Sequence, residues 1–257
     1  MVLDSEINGQ SERRAFLRTT PLFASLKEED VGRIADDLLP ITYQRYEVIF
    51  NQHDPSQSAY VVRTGKVRIY RSSPNGNETS INVFQAGSII GEFAALDRQP
   101  RSATAVAITT CLLWELPSEA MTHYMQTVPE LALAMSRLLV QKLRWTAAYA
   151  ETIAQYDAPG RLLHILLLYN TQFGEALEPG KRYLLDLALT QDDLASLVGA
   201  RREWINRLLQ DWRRQGLLMY EAGKIIIFDL PAAEHERNRH LQGSASLLRP
   251  GGQSNAG

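Results

Sequence analysis

A single cysteine, Cys111, is all the thiol chemistry in this 257-residue sequence. One thiol excludes an internal disulfide and any cysteine-rich zinc or iron–sulfur framework. Long apolar runs are missing too, since none reaches the roughly 18 residues of a membrane span. The first residues carry Asp4, Glu6 and Glu12 without an apolar centre, so they do not read as a secretory signal. A strong charge of one sign is also absent, the formal net charge being −2. That argues against coating nucleic acid by bulk electrostatics, but not against a reader whose basic residues are gathered on one helix. No Gly-x-Ser-x-Gly, Walker or paired-histidine metal motif occurs, so neither an enzyme nor a metal protein is expected. The expected compartment is the cytoplasm.

What is present is ordinary for a globular chain, 45% apolar and 22% charged. Residues 1–11 are polar and aperiodic and read as a mobile tail. From Arg13 to Leu39 the pattern is helical, with turn signals at Thr20-Pro21 and Leu39-Pro40. From Ile41 to Leu116, β-branched runs such as Lys66-Val67-Arg68-Ile69-Tyr70 alternate with turn residues, and Pro74-Asn75-Gly76-Asn77 reads as a hairpin tip. Turn signals about every ten residues predict an all-β roll rather than βαβ units.

After Pro129 the character changes. Residues 130–156 contain neither glycine nor proline and are rich in helix formers. The spacing predicts a helix of about 28 residues, roughly 42 Å long. Leu131, Met135, Leu138, Trp145, Tyr149, Thr152 and Tyr156 recur near a 3.5-residue spacing, with Lys142 interrupting. Such length points to a second copy of the chain packed on Leu138, Trp145, Tyr149, Thr152 and Tyr156. The alternative is a helix buried wholly against its own chain. Asp157-Ala158-Pro159-Gly160 then reads as N-cap, first turn and hinge. Beyond it lie a helix to about Phe173, a loop at Pro179-Gly180, helical patterns at 190–197 and 201–215, and a small hairpin around Ala222-Gly223. The residues from Gly243 onward read as disordered.

One segment carries ligand chemistry: Gly87-Ser88-Ile89-Ile90-Gly91-Glu92-Phe93, followed by Arg101-Ser102-Ala103. Gly91 permits close backbone approach, and Arg101 and Ser102 offer donors for phosphate oxygens. Glu92 only accepts when ionised, so it suits a sugar hydroxyl. Acceptor for ribose and donors for phosphate are what a nucleotide needs; the alternative is a surface pair of Arg101 with Asp97. The segment resembles the phosphate-binding cassette of cyclic-nucleotide-binding domains. That resemblance implies that Glu92 holds the ribose 2′-hydroxyl and that Arg101 and Ser102 hold the cyclic phosphate, with Gly91 and Phe93 beside them. His53 stands where the family usually has glycine, which is expected to alter a turn. The resemblance further places Thr146 at the purine, whereas Ala147 lacks the hydroxyl of the family's neighbouring serine. Cyclic AMP is the first choice of effector, with cyclic GMP or another nucleotide open.

A second segment has the chemistry of a DNA reader. Thr190 opens a short helix in a capping-box arrangement with Asp193, and Gly199 turns the chain. Arg202, Glu203, Asn206 and Arg207 then share one polar face, able to read guanine and cytosine edges, with Arg201, Arg213 and Arg214 placed for phosphates. Ala195, Leu197, Ile205 and Leu208 are the expected small core. Arg202, Glu203 and Arg207 resemble the recognition helix of the same family, the CRP/FNR transcription regulators; Arg201 and Trp204 depart from it. The resemblance implies an α+β chain. A cyclic-nucleotide-binding β-roll, jelly-roll-like, would occupy 12–128 and a long dimerisation helix 129–157. A winged helix-turn-helix would occupy 158–230 and a flexible tail 231–257. It also implies a homodimer on a palindromic operator in double-stranded DNA, RNA polymerase as a further partner, and no membrane. The alternative is a regulator of the same fold answering a different signal, another nucleotide, redox or gas, or binding DNA without a ligand.

Overall fold

A computed structural model of the chain describes residues 2–55 and 57–241. Compact packing divides it into two units, residues 1–144 and 145–257, so that the cut falls inside the long helix.

The first unit opens with α1 (Val2–Thr19) and α2 (Glu28–Asp36). The tail expected over residues 1–11 is thus corrected: α1 begins at Val2. Its later turns are fastened, with Arg13 Nη1 donating to Ala35 O at 3.1 Å and Leu38 O at 2.9 Å, and Arg63 pairing with Glu12 at 2.8 Å. Once a turn is fixed, a helix extends at little further cost, and no proline stops it here.

Eight strands follow: β1 (Leu39–Tyr43), β2 (Val48–Phe50), β3 (Ser58–Thr64), β4 (Lys66–Ser72), β5 (Glu78–Gln85), β6 (Ile89–Ile90), β7 (Thr104–Ala107) and β8 (Cys111–Pro117). The short α3 (Glu92–Asp97) interrupts them between β6 and β7, and α4 (Ser118–Thr127) and α5 (Pro129–Gln155) close the series. The strands form two antiparallel sheets, ordered β1-β8-β3-β6 and β2-β7-β4-β5, which is the expected roll. Strand pleating sends alternate residues to opposite faces. In β3, Tyr60 and Val62 enter a core shared with Val67, Ala105 and Leu113, while Ala59 and Val61 enter a second core with residues of the helices. That two-sided burial is why β3 lacks a polar face. Cys111 is fully buried in the roll, and burial pushes its thiol above the ordinary value.

The second unit takes the end of α5, then α6 (Ala158–Phe173), β9 (Glu175–Glu178), β10 (Arg182–Asp186), α7 (Gln191–Val198), α8 (Arg202–Arg214), β11 (Leu218–Glu221), β12 (Lys224–Ile227) and α9 (Leu230–Arg239). Asp157 caps α6 by accepting from Gly160 N at 3.1 Å. The expected hairpin is one half of a four-stranded antiparallel sheet, β11-β12-β10-β9, because Pro179-Gly180 turns a second hairpin rather than a plain loop. The tail expected from residue 231 is corrected as far as Arg239. Pro231 occupies the first turn of α9, where a missing N–H costs nothing, and Asp229 caps it. His240 Nδ1 lies 3.0 Å from Asp157 Oδ2 and ties the end of α9 to the α5–α6 junction. The disorder expected from Gly243 onward lies outside the described residues.

Candidate functional site

β6 delivers the chain to Gly91, which has φ +75° and sits against the guanidinium of Arg101; a Cβ there would lie 2.5 Å from Nη1. Only glycine accepts both the conformation and the closeness. Glu92 and Arg101 are 2% and 4% exposed. Arg101 Nη1 donates to Gly91 O and Nη2 to Ser58 O, both at 2.7 Å, and its plane lies 4.2 Å over the Phe50 ring. Its Nε is buried with no partner. Burial lowers the Arg101 pKa, with Tyr60 and Glu92 opposing. The His53 N–H donates to Arg101 O at 2.8 Å, and His53 itself holds φ +74°. The turn therefore keeps the glycine-like backbone that the family pattern asks for, with a histidine bearing the strain.

The sequence reading missed Lys142. From α5 its ammonium donates to Glu92 Oε1 at 2.5 Å and to Ile89 O at 2.9 Å. It lies 4.7 Å from the Phe84 ring and 5.6 Å from the Phe93 ring. Burial lowers its pKa and Glu92 opposes that shift. The signal was present as the one cation interrupting an apolar stripe. Gly91, Glu92 and Arg101 are thus brought together as expected. Ser102 is exposed, Phe93 is largely so, and Thr146 is exposed on the part of α5 that belongs to the second unit. An orphaned guanidinium N–H, a glycine cradle and a buried carboxylate fit an anionic sugar phosphate. The ribose acceptor is shared with Lys142.

In the second unit the capping box forms, Thr190 Oγ1 accepting from Asp193 N at 3.1 Å and Thr190 N donating to Asp193 Oδ2 at 2.8 Å. The Thr190 hydroxyl also donates to Asp193 Oδ2, so its one proton is held in the cap. Gly199, at φ +68°, makes the turn. Ala195, Leu197 and Ile205 are buried as expected, but Leu209 and Trp212 complete the core in place of the half-buried Leu208. Arg201, Arg202, Glu203 and Arg207 are exposed, and Asn206 is half-buried. Arg202 reaches Asp192 at 3.4 Å, an open pair that water weakens.

Of the expected dimer stripe, Thr152 and Tyr156 are closed off within the chain, and Leu138, Trp145 and Tyr149 are half-buried. Trp145 stacks on Tyr169 at 5.3 Å, and the Tyr149 hydroxyl donates to Leu197 O at 2.8 Å. Leu138 packs on the helical core of the first unit. These side chains face their own chain. The stripe left open is Leu133, Ser136, Val140, Leu143, Ala147, Ala150 and Ala154, all exposed and in alternating steps of three and four.

Among the described residues no helix is long and apolar enough to cross a membrane. Residues 40–128 match the cyclic nucleotide-binding domain family, and residues 160–234 match the Crp-like helix-turn-helix domain family. A global nitrogen regulator of Synechococcus elongatus is 30% identical over 74% of this chain and 87% of its own length. A CRP-like cAMP-activated global transcriptional regulator of Mycobacterium tuberculosis is 28% identical over 81% and 92%. The solved structure of FixK2 from Bradyrhizobium japonicum shares the fold, with TM-score 0.68 and 20% identity over 77% of this chain and 96% of that one.

Proposed function

Because the chain belongs to the CRP/FNR family of transcription regulators, we propose that it is a homodimeric, sequence-specific DNA-binding protein governed by a cyclic nucleotide, cyclic AMP first. The observation that carries the effector reading is the buried Arg101 with its unpartnered Nε beside Gly91 and Glu92. A cyclic nucleotide would supply one phosphate anion and the ribose 2′-hydroxyl. Arg101 would hold the anion, its remaining N–H groups and low surrounding dielectric favouring a charge-assisted bond. Glu92 would accept from a ribose hydroxyl, with Lys142 sharing the carboxylate and keeping its charge balanced.

The DNA reading rests on an exposed row of Arg202, Glu203 and Arg207 on α8, held by a capped α7. Arginine reads guanine bidentately and glutamate accepts from cytosine. The open stripe on α5 supplies the contact between two copies, and two copies supply two half-sites about 34 Å apart along DNA. RNA polymerase is a further partner in this reading, in the cytoplasm.

The test is DNA binding with and without a panel of cyclic nucleotides, for the wild type and Arg101→Ala. Ligand-dependent binding in the wild type, lost in the variant while basal binding remains, is expected. An unchanged response in Arg101→Ala would remove the pocket assignment. Two observations favour a second reading, an effector other than cyclic AMP: Lys142 already holds one oxygen of the ribose acceptor, and Ala147 offers the base no hydroxyl. Strong operator binding with no response to any member of the panel would move the assignment there.

A further inference from the structure

The reading face of α8 is tied at its middle by a chain of three carboxamides. Asn206 Nδ2 donates to Gln191 Oε1 at 3.1 Å, and Gln210 Nε2 donates to Asn206 Oδ1 at 2.7 Å. Gln191 is the first residue of α7, whereas Gln210 lies one turn beyond Asn206 on α8. A primary amide has two N–H donors and two acceptor lone pairs. With these two bonds made, Asn206 keeps one donor and one acceptor. Rotating the Asn206 amide alone by half a turn would set oxygen against the Gln191 oxygen and N–H against the Gln210 N–H. It therefore turns only together with its two neighbours, and in either sense one donor and one acceptor are left.

We infer that Gln191 is a positioning residue for base choice, holding Asn206 as an adenine reader beside Arg202 and Arg207. In the major groove adenine presents an acceptor at N7 and a donor at N6, which one amide donor and one amide acceptor match. Guanine presents two acceptors there, so an amide with one donor left loses one bond to it and sets its oxygen against an acceptor. An asparagine freed of its tethers has both donors to offer. The inference rests on the reading of α8 as the DNA-contacting helix and adds one base pair of fixed orientation to each half-site.

The test is selection of operators from random duplexes by the full chain, comparing the wild type, Asn206→Ala, Gln191→Leu and Gln191→Glu. The wild type should fix an A·T pair at one position per half-site, preferred about tenfold over G·C. Asn206→Ala should become indifferent there while its other positions stay as they were. Gln191→Leu keeps the shape but removes the acceptor and should lose most of the same preference. Gln191→Glu restores the acceptor and should recover the preference, although its charge weakens binding to all sequences alike. Retained positions elsewhere show that the helix pair is folded. If Gln191→Leu selects the wild-type sequence, or Asn206→Ala changes no position, the inference is wrong while the DNA reading stands. If the wild type selects no sequence, the DNA reading itself fails and takes the inference with it.

Discussion

Lys142 and Glu92 show how one side chain can change the meaning of a motif. The carboxylate is buried and its ammonium partner only one-fifth exposed. Burying two such charges is repaid only by close geometry, so removing one partner strands the other. Lys142→Met and Glu92→Gln are each expected to destabilise the first unit by about 3 kcal/mol, the low end of the range for a buried pair because Lys142 keeps some contact with water. The double variant should lose clearly less than the sum. Urea unfolding followed by a probe in the first unit reads this, and strict additivity would mean that the pair is not coupled. Glu92 and Arg101 were legible in the sequence because their chemistry follows from type and spacing within a short segment. Lys142 was not, because its partner lies 50 positions away and only the fold joins them. Asn206 was legible as part of a polar face, but its tethers were not, since Gln191 comes from the preceding helix.

At the scale of elements, the extent of α5 agrees with its sequence, while its aromatic stripe packs largely within the chain. Its lack of glycine and proline set its length. Two stripes run along it, and the more aromatic one was assigned to the partner. Large rings gain more from burial, and here that burial is within the chain: Trp145 on Tyr169, Tyr149 bonded to Leu197, Tyr156 against the α6 turn. The stripe of Leu133, Val140, Leu143 and small alanines stays exposed, as the proposed contact between copies requires. Val140→Glu with Leu143→Glu should therefore give a folded monomer, seen as a halved mass in sedimentation equilibrium and a melting temperature lowered by the lost contact and no longer dependent on protein concentration. Trp145→Ala should do the reverse, costing about 1–3 kcal/mol of stability for a half-buried ring while leaving the mass at twice that of one chain. A dimer that survives both glutamates would return the contact to another surface. Helix α9 lies in what was expected to be tail, although Pro231 suits the first turn of a helix.

For the whole molecule, the order of the parts carries more than any single motif, because each part alone has a bland counterpart. A buried arginine can simply brace a loop, and an arginine-rich helix can simply face water. Together they make a claim about energy: if effector and operator stabilise the same state of the dimer, each must raise the affinity for the other by the same factor. Couplings of this kind run to about 1–3 kcal/mol, so the expected change is roughly 5- to 150-fold. Calorimetric titration of cyclic AMP into the protein, alone and with saturating operator, gives one factor. Operator titration, without and with saturating cyclic AMP, gives the other. The two should agree in the wild type and fall to one in Arg101→Ala. Salt separates this coupling from plain attraction to DNA. Arg201→Ala removes one phosphate contact per copy, hence two per dimer, and should flatten the slope of log K against log salt by about 1.8 without changing the coupling factor. Equal nucleotide affinity with and without operator would leave a DNA-binding protein and a nucleotide-binding fold in one chain, with nothing passing between them.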